Sequence, residues 1–304
     1  MKLVYHEGRN FGDALNPLVF RALFPDLFDE DERVLFIGIG SVIGLKHGGP
    51  STERRIYFSS GFAAGDPRTY GTLPRLGPLD DVVCVRGPLT AEALGLPPAR
   101  AIADGAILYP HLFAVRPKPR PGTVAYVPHA GSFAFFQGWR ELLAEAGIEL
   151  IDPREPPQDV IAHIAGVELL IAEAMHGAIL ADAIGIPWIP VAAYGTINAF
   201  KWSDFTASMG LTYAPVHLPS LHDRDFIGPV IRARLGRLGL AALHGPATDL
   251  HGWLMGAPAR RRLLRGLMAL KKDTGLLSDR GLLAQRVDAL LERAEYVRRT
   301  YGRR

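Results

Sequence analysis

Short apolar runs alternate with helical patterns along most of this chain, and this alternation narrows its possible folds more than any other feature. Apolar runs bounded by turn residues are typical of buried strands, and helices between them imply parallel crossovers. The sequence therefore predicts an α/β fold. The predicted strands are Lys2–His6, Val34–Ile39, Ile56–Phe58, Val82–Val85, Ala101–Ile102, Thr123–Val127, Glu149–Ile151, Leu169–Ile171 and Trp188–Val191. The predicted helices are Asp13–Leu23, Pro88–Leu94, Gly131–Ala146, Pro157–Ile164, Gly177–Ile184 and Trp202–Met209.

A proline-rich segment divides this pattern into two halves. Val115–Gly122 carries three prolines, which favour an extended chain that cannot join a sheet. The 304 residues also suffice for two domains of about 100–150 residues each. We predict a Rossmann-like domain over residues 1–115, a second over 123–240, and a basic helical extension over 246–304.

A short internal repeat supports two similar domains. Arg86–Pro97 aligns without gaps to His176–Pro187, and each copy follows an apolar run and ends at Gly-Leu-Pro or Gly-Ile-Pro. Ordinary helix-ending residues would also produce so short a match by chance. If the halves share one plan, Arg86 and His176 lie at corresponding strand ends on opposite walls of a cleft.

The charge of the chain is unevenly distributed. Residues 246–304 hold 13 Lys and Arg against 6 Asp and Glu, a net charge of +7, whereas the remainder has a net charge of −4. This excess favours a phosphate-rich partner such as anionic lipid or a lipid-linked diphosphate, unless it is only a solvated helical face. We predict a peripheral membrane contact through residues 259–304. No nucleic-acid-binding module accompanies the basic residues, so nucleic acid is not an expected partner.

Several classes of protein are disfavoured. Cys84 is the single cysteine, which argues against a disulfide framework or a cysteine-rich zinc site. Neither a signal peptide nor an apolar run of membrane-spanning length is evident, so a cytoplasmic protein is expected. Because the chain contains no G-x-S-x-G, P-loop or H-E-x-x-H motif and no metal-binding cluster, we expect chemistry without a metal.

Polar residues follow several of the predicted strands, where α/β proteins bind ligands. Asn10–Pro17 follows the first strand, a glycine-rich turn follows the second, and a Ser-Ser-Gly turn follows the third. The simpler interpretation is that these residues only cap helices and close turns. The candidate ligand-binding residues in these turns are Asn10, Asp13, Asn16, Gly40, Ser41 and Ser60.

Two histidines are candidates for acid–base chemistry. His176 lies three residues after Glu173 at a predicted strand end, and a nearby carboxylate would fix the tautomer of its ring. His129 ends the first strand of the second half and is expected in the same cleft. Each histidine has a structural alternative, as a helix cap or a surface residue.

Together and in this order, these segments resemble the polysaccharide pyruvyl transferase family. They span about residues 4–191, and the stretches around His176 and Asn198–Asp204 look closest to the succinoglycan branch. The matching segments are NFGDALNP, GIGSVIG, SSG, CVRGPLT, ADGA, VPH and EAMHGAILADAIGIPWI.

The resemblance implies a two-domain fold like that of GT-B glycosyltransferases, and a reaction. Phosphoenolpyruvate would donate its enolpyruvyl carbons to two hydroxyls of a lipid-linked or nucleotide-linked sugar, giving a cyclic ketal and phosphate without a further cofactor. Arg86 would bind phosphoenolpyruvate, and His176 would act as acid or base or contact the phosphate, with Glu173 and His129 as further catalytic residues.

This chain departs from the family pattern at one position. It has Ala174-Met175-His176 where many members have Arg-Leu-His. Lys201, Arg9 or His129 would then replace the arginine, or the donor would differ. The alternatives are a GT-B glycosyltransferase using a nucleotide sugar and a catalytically degenerate scaffold of a polysaccharide assembly complex.

Overall fold

The computed structural model describes residues 1–64 and 75–302 as strands, helices and connecting loops. The strands are β1 (Lys2–Val4), β2 (Val34–Ile37), β3 (Arg54–Ser60), β4 (Asp80–Val85), β5 (Val124–Val127), β6 (Glu149–Leu150), β7 (Leu169–Ala172), β8 (Trp188–Ala192) and β9 (Val216–His217). The helices are α1 (Phe11–Leu23), α2 (Pro88–Ala93), α3 (Leu108–Leu112), α4 (Trp139–Glu145), α5 (Pro157–Ala165), α6 (Met175–Ile184), α7 (Ala199–Ser208), α8 (Arg224–Gly236), α9 (His244–His251), α10 (Ala257–Leu270) and α11 (Arg280–Tyr301).

The strands form two parallel sheets. The first has the order β1-β2-β3-β4, and the second has the order β6-β5-β7-β8-β9. The helices between the strands provide the crossovers that parallel pairing requires. The predicted α/β fold is confirmed.

The central strands are buried because helices cover them. Every residue of β5 and β7 is buried, which explains why they appear in the sequence as continuous apolar runs. In the second sheet β6 lies on one side of β5, and β7 lies on the other. The chain therefore reverses its winding direction between β5 and β7, and the loops after these two strands diverge around a crevice.

The helix predicted over Gly131–Ala146 is broken in the structure. A 3-10 helix covers Ala130–Ala134, and α4 begins only at Trp139, after Gly138. His129 starts this interruption because its Nδ1 accepts a hydrogen bond from the Gly131 amide at 3.1 Å. The loop after β5 therefore stays beside the crevice instead of entering a long helix.

The two sheets share one hydrophobic core. Phe20 and Phe58 from the first half and Leu170 and Ile179 from the second belong to a single cluster of buried side chains. Helix α1 packs against both α3 and α5, which places it between the sheets. The predicted domain boundaries, 1–115, 123–240 and 246–304, stay predictions. Among the described helices, none is long and apolar enough to cross a membrane.

The C-terminal helices bury the apolar stripes that the sequence shows. Leu263 and Leu267 of α10 are fully buried in the core of the second half. Leu290 and Val297 of α11 are fully buried in the shared core. The stripes of residues 259–304 thus face the body of the protein.

A buried ion pair joins α7 to the first sheet. Arg86, directly after β4, donates from Nε to Oδ2 of Asp204 at 3.1 Å, and both side chains are fully buried. The backbone and hydroxyl of Thr90 in α2 also donate to this carboxylate, at 2.9 and 2.6 Å. Gly61 makes room for the guanidinium, since a Cβ there would lie 2.2 Å from Cζ of Arg86.

Replacing Asp204 with alanine should destabilise the fold strongly. The change leaves a buried guanidinium without its carboxylate, which typically costs about 3–5 kcal/mol. The free energy of unfolding from urea titration measures this loss. Asp249→Ala is the matched control, because Asp249 pairs with Arg224 on the surface and should cost less than about 1 kcal/mol. Equal losses in the two variants would contradict a special role for the buried pair.

Candidate active site

One cavity of about 800 Å³ lies at the carboxyl ends of strands from both sheets. It is lined by residues that follow β1, β2, β5, β7 and β8, as expected for a ligand site in parallel sheets. Of the eleven predicted site residues, the cavity brings together Asn10, Asp13, Gly40, Ser41, His129, His176 and Lys201.

The winding reversal between β5 and β7 explains why both histidines line the cavity. Val127 and Ala172 are register partners at the ends of these neighbouring strands. His129 follows two residues after Val127, and His176 is the second residue of α6, which starts shortly after β7. Ala174, where many family members have arginine, is the N-cap of α6 and lines the same wall.

Glu173 holds the strand ends together. One carboxylate oxygen accepts hydrogen bonds from the His129 amide at 2.9 Å and the Ser132 hydroxyl at 2.7 Å. The other oxygen accepts from the Ala193 amide, after β8, at 3.1 Å. Burial raises the pKa of Glu173, although these three hydrogen bonds oppose the shift. The carboxylate thus fixes the backbone around His129, and it is not the group nearest to the ring of His176.

The first half contributes the opposite wall. Asn10 caps α1 by accepting from the Gly12 amide at 3.1 Å, and its Nδ2 donates to Asp13 at 3.0 Å. Gly40 follows β2 with a φ of +132°, a conformation that favours glycine. Its neighbour Ser41 accepts a hydrogen bond from Nη1 of Arg86 at 2.9 Å.

Three predicted ligand-binding residues lie behind this wall. Arg86 is fully buried against Asp204, and its Nη2 donates to the carbonyl of Phe62. Among the cavity residues, Arg86 contacts Ser41. Asn16 donates to the carbonyl of Ile39 at 2.9 Å. Ser60 donates to the carbonyl of Ile37 at the same distance. Their direct contact with substrate stays a prediction, whereas their observed contacts shape the loops after β2 and β4.

Helix α7 supplies the cationic side of the cavity. Asn198 caps this helix by accepting from the Lys201 amide at 3.1 Å, and its Nδ2 donates to the carbonyl of Ala64 at 3.0 Å. Lys201, in the first turn of α7, lines the cavity. The N-termini of α1, α6 and α7 therefore all lie at the cavity, and each adds a partial positive charge.

His129 is suited to donate a hydrogen bond while neutral. The ring of His129 faces the cavity but lies deep enough in the molecule to lose solvation. This loss of solvation, together with the positive charges of Lys201 and His176, lowers the pKa of His129 to about 4. Because Nδ1 accepts from the Gly131 amide, Nε2 carries the proton of the neutral ring. At pH 7 His129 thus offers an N–H group to an anion.

A second carboxylate, Asp104, lies closest to His176. Its Oδ2 is 3.9 Å from Nε2 of His176, and neither atom has another hydrogen-bond partner among the described residues. Asp104 is fully buried, and its Oδ1 accepts from the Ala106 amide at 3.0 Å. A shift of about 1 Å would bring the two atoms within hydrogen-bond distance. Asp104 is therefore placed to fix the tautomer of His176.

Close packing at Gly12 sets the other side of the His176 ring. A Cβ at Gly12 would lie 1.9 Å from Nδ1 of His176, so only glycine lets α1 approach the ring this closely. Phe11 meets the ring edge-on, with centroids 6.5 Å apart. The ring is thus held between the start of α1 and Asp104.

Fold and site together define an α/β enzyme architecture with an anion-attracting cavity between two parallel sheets. The family model for polysaccharide pyruvyl transferase matches residues 43–193. The succinoglycan biosynthesis protein ExoV of Rhizobium meliloti (strain 1021) is 37% identical over 223 residues, which cover 72% of this chain and 68% of ExoV. The chain belongs to the polysaccharide pyruvyl transferase family, and it is an enzyme of that kind.

Sequence reasoning missed Asp104 and Asp204, although both lie in segments that carry the family resemblance. Asp104 belongs to the ADGA segment, and Asp204 ends the stretch that starts at Asn198. Each acts on a residue distant in sequence, and Asp204 is 118 positions from Arg86. An acidic residue within an apolar segment was the available signal, because a buried carboxylate requires a partner.

Asp104→Asn should invert the tautomer of His176. The carboxylate of Asp104 can only accept a hydrogen bond, which favours a proton on Nε2 of His176. An asparagine that keeps the Ala106 contact presents an amide donor instead and moves the ring proton to Nδ1. The ¹⁵N chemical shifts of the ring nitrogens report this change. Asp13→Asn, elsewhere on the cavity wall, is the control and should leave the tautomer unchanged. The same tautomer in Asp104→Asn and wild type would contradict the pairing.

Lys201→Gln should raise the pKa of His129. The substitution removes one of the charges that oppose protonation, so the value should rise from about 4 toward 6.5, while burial keeps it below 6.5. A pH titration of the ring Cε1 proton by NMR measures the shift. Lys118→Gln, in the exposed linker, should leave it unchanged. A wild-type ring that titrates at 6.5 would show that the environment of His129 is not as described.

Proposed function

We propose that this enzyme transfers pyruvate from phosphoenolpyruvate to two hydroxyls of a saccharide, forming a cyclic ketal during exopolysaccharide or cell-surface glycan synthesis. The observation that carries the proposal is the meeting of three helix N-termini with His129, His176 and Lys201 in one cavity. Such a site suits a small, highly charged anion. The similarity to a succinoglycan biosynthesis protein supports the polysaccharide context.

The donor anion and the acceptor would occupy different parts of the cavity. Lys201 and the starts of α6 and α7 would bind the phosphate and carboxylate of phosphoenolpyruvate, in place of the family arginine that Ala174 lacks. The neutral Nε2–H of His129 would donate to the same anion. Asn10, Asp13 and Ser41, on the opposite wall, would bind the hydroxyls of the sugar.

His176 would carry the proton transfers. Two hydroxyl oxygens bond to the central carbon of the donor while its bond to the phosphate oxygen breaks. One hydroxyl proton goes to the methylene carbon, which becomes a methyl group, and the other leaves with phosphate. With Nε2 facing Asp104, Nδ1 beside Gly12 would exchange these protons, because histidine accepts and releases protons near neutral pH.

The remaining parts of the proposal concern architecture and location. We propose that the two sheets form the two halves of a GT-B-like arrangement, with the cavity as the cleft. The acceptor would be lipid-linked or nucleotide-linked, and no further cofactor is required. The enzyme would act in the cytoplasm at the inner face of the plasma membrane.

Incubation with phosphoenolpyruvate and candidate saccharides tests this function. We expect phosphate release together with a mass gain in the sugar equal to pyruvate less water. His176→Ala should abolish both. Full activity of His176→Ala would contradict the proposed site, and stabilisation by nucleotide sugars alone in a thermal-shift assay would contradict the proposed donor.

Two glycines of the cavity form a matched pair in the same assay. Gly12→Ala should lower kcat/KM about 100-fold, because its methyl group displaces the His176 ring and misplacement by about 1 Å has effects of this size. Gly195→Ala should have little effect, since its Cβ would meet no atom within 4 Å. Equal rates for the two variants would contradict the requirement for close packing at His176.

A further inference from the structure

Residues 224–256, here called the helical hairpin, lie on the surface of the protein. The hairpin comprises α8, α9 and their flanking turns, and its two helices pack against each other. Among its described side chains, only Thr248 is buried. The hairpin therefore contributes little to the hydrophobic core, and its exposed faces require another explanation.

The hairpin exposes an unusual number of large apolar side chains. It includes about a ninth of the chain, yet it holds half of the large apolar side chains that are exposed among the described residues. Leu238 is the most exposed of them, at 69%. Surfaces rich in exposed apolar side chains mark interaction sites in folded proteins. The exposed apolar residues of the hairpin are Val230, Leu238, Leu240, Leu243, Leu250, Leu254 and Met255.

Positive charge surrounds these apolar residues. Residues 224–265, which include the start of α10, contain eight arginines and two aspartates. Asp249 is neutralised by Arg224 at 2.7 Å. Arg261, Arg262 and Arg265 line a shallow depression on α10. The apolar surface is thus bordered by cations.

We propose that the helical hairpin docks on an anionic lipid surface. Exposed leucines beside arginines suit the boundary between lipid tails and acidic headgroups, where apolar burial and charge attraction add. A second copy of this chain is a poorer occupant, because two equally basic surfaces repel each other. This inference rests on the proposed function in one respect, since a lipid-linked acceptor would be found at the same lipid surface.

The sequence predicts a membrane contact through residues 259–304, whereas the proposed contact lies mainly on the hairpin. The apolar stripes of α10 and α11 face the core, as Leu263 and Leu290 show, so they are not available to lipid. The side chains of Leu238, Leu243 and Leu254 are at least half exposed. The surface for apolar contact is therefore the hairpin, and the basic residues of α10 lie beside it.

Sedimentation of the full-length protein with phosphatidylcholine vesicles, with and without phosphatidylglycerol, tests the inference. We expect binding only to the anionic vesicles, with weaker binding at high salt. The triple variant L238S/L243S/L254S and the double variant R234Q/R237Q should each bind about tenfold less. The matched controls are F113S/M268S, which removes exposed apolar residues elsewhere, and K272Q/R299Q, which removes exposed cations of the C-terminal extension. Both controls should bind nearly as wild type does.

The outcomes separate this inference from the proposed function. Hairpin variants that lose vesicle binding but still transfer pyruvate to a soluble saccharide support the inference. If the wild-type protein shows no transfer at all, loss of vesicle binding in the hairpin variants still supports the inference, and only the proposed function fails. Hairpin variants that bind vesicles as wild type does would overturn the inference. Concentration-dependent dimerisation that the hairpin variants abolish, or binding of polyglutamate in preference to anionic vesicles, would also overturn it.

Discussion

The ion pair between Arg86 and Asp204 governs the geometry of the whole site. It connects the end of β4 with α7, and through Ser41 it also reaches the loop after β2. A fully buried guanidinium and carboxylate tolerate little displacement, because any separation leaves two uncompensated charges. The N-terminus of α7, with Asn198 and Lys201, is consequently held at a fixed distance from the first sheet. The pair therefore constrains the part of the cavity wall that α7 and the loop after β2 contribute.

Much of the fold and part of the site follow from local sequence signals. The buried strands stand out as apolar runs, and their carboxyl ends correctly indicate His129, His176 and Ser41 as cavity residues. The position of Arg86 was not predictable in the same way, because its burial depends on a carboxylate that is distant in the chain. Glu173 is only three residues from His176, yet it lies in the turn before α6, and the two side chains have different neighbours. The spacing of residues along the sequence shows which strand end carries a side chain. Its hydrogen-bond partner depends on how the two sheets pack together.

The two histidines of the cavity have different environments and so different chemistry. His129 is held by the Gly131 amide, and its loss of solvation, together with nearby positive charge, keeps it neutral. His176 is packed against Gly12 and faces the carboxylate of Asp104. Environments that differ in this way let one histidine bind an anion while the other exchanges protons. In the proposed function, Lys201 and the helix N-termini would supply the positive charge that Ala174 lacks, since they line the same cavity.

The last long helix has a consequence for how the molecule is made. Helix α11 packs on the first half of the chain, where Arg298 donates to the carbonyl of Leu23 at 2.6 Å and Tyr301 bonds to Asp81. Val297, fully buried, completes the core that begins with the first strand. Although the first sheet is synthesised early, α11 covers it only after all the described strands of both sheets have been made. The nascent chain therefore carries an exposed apolar surface until α11 emerges from the ribosome, and chaperones have prolonged access to it at this face.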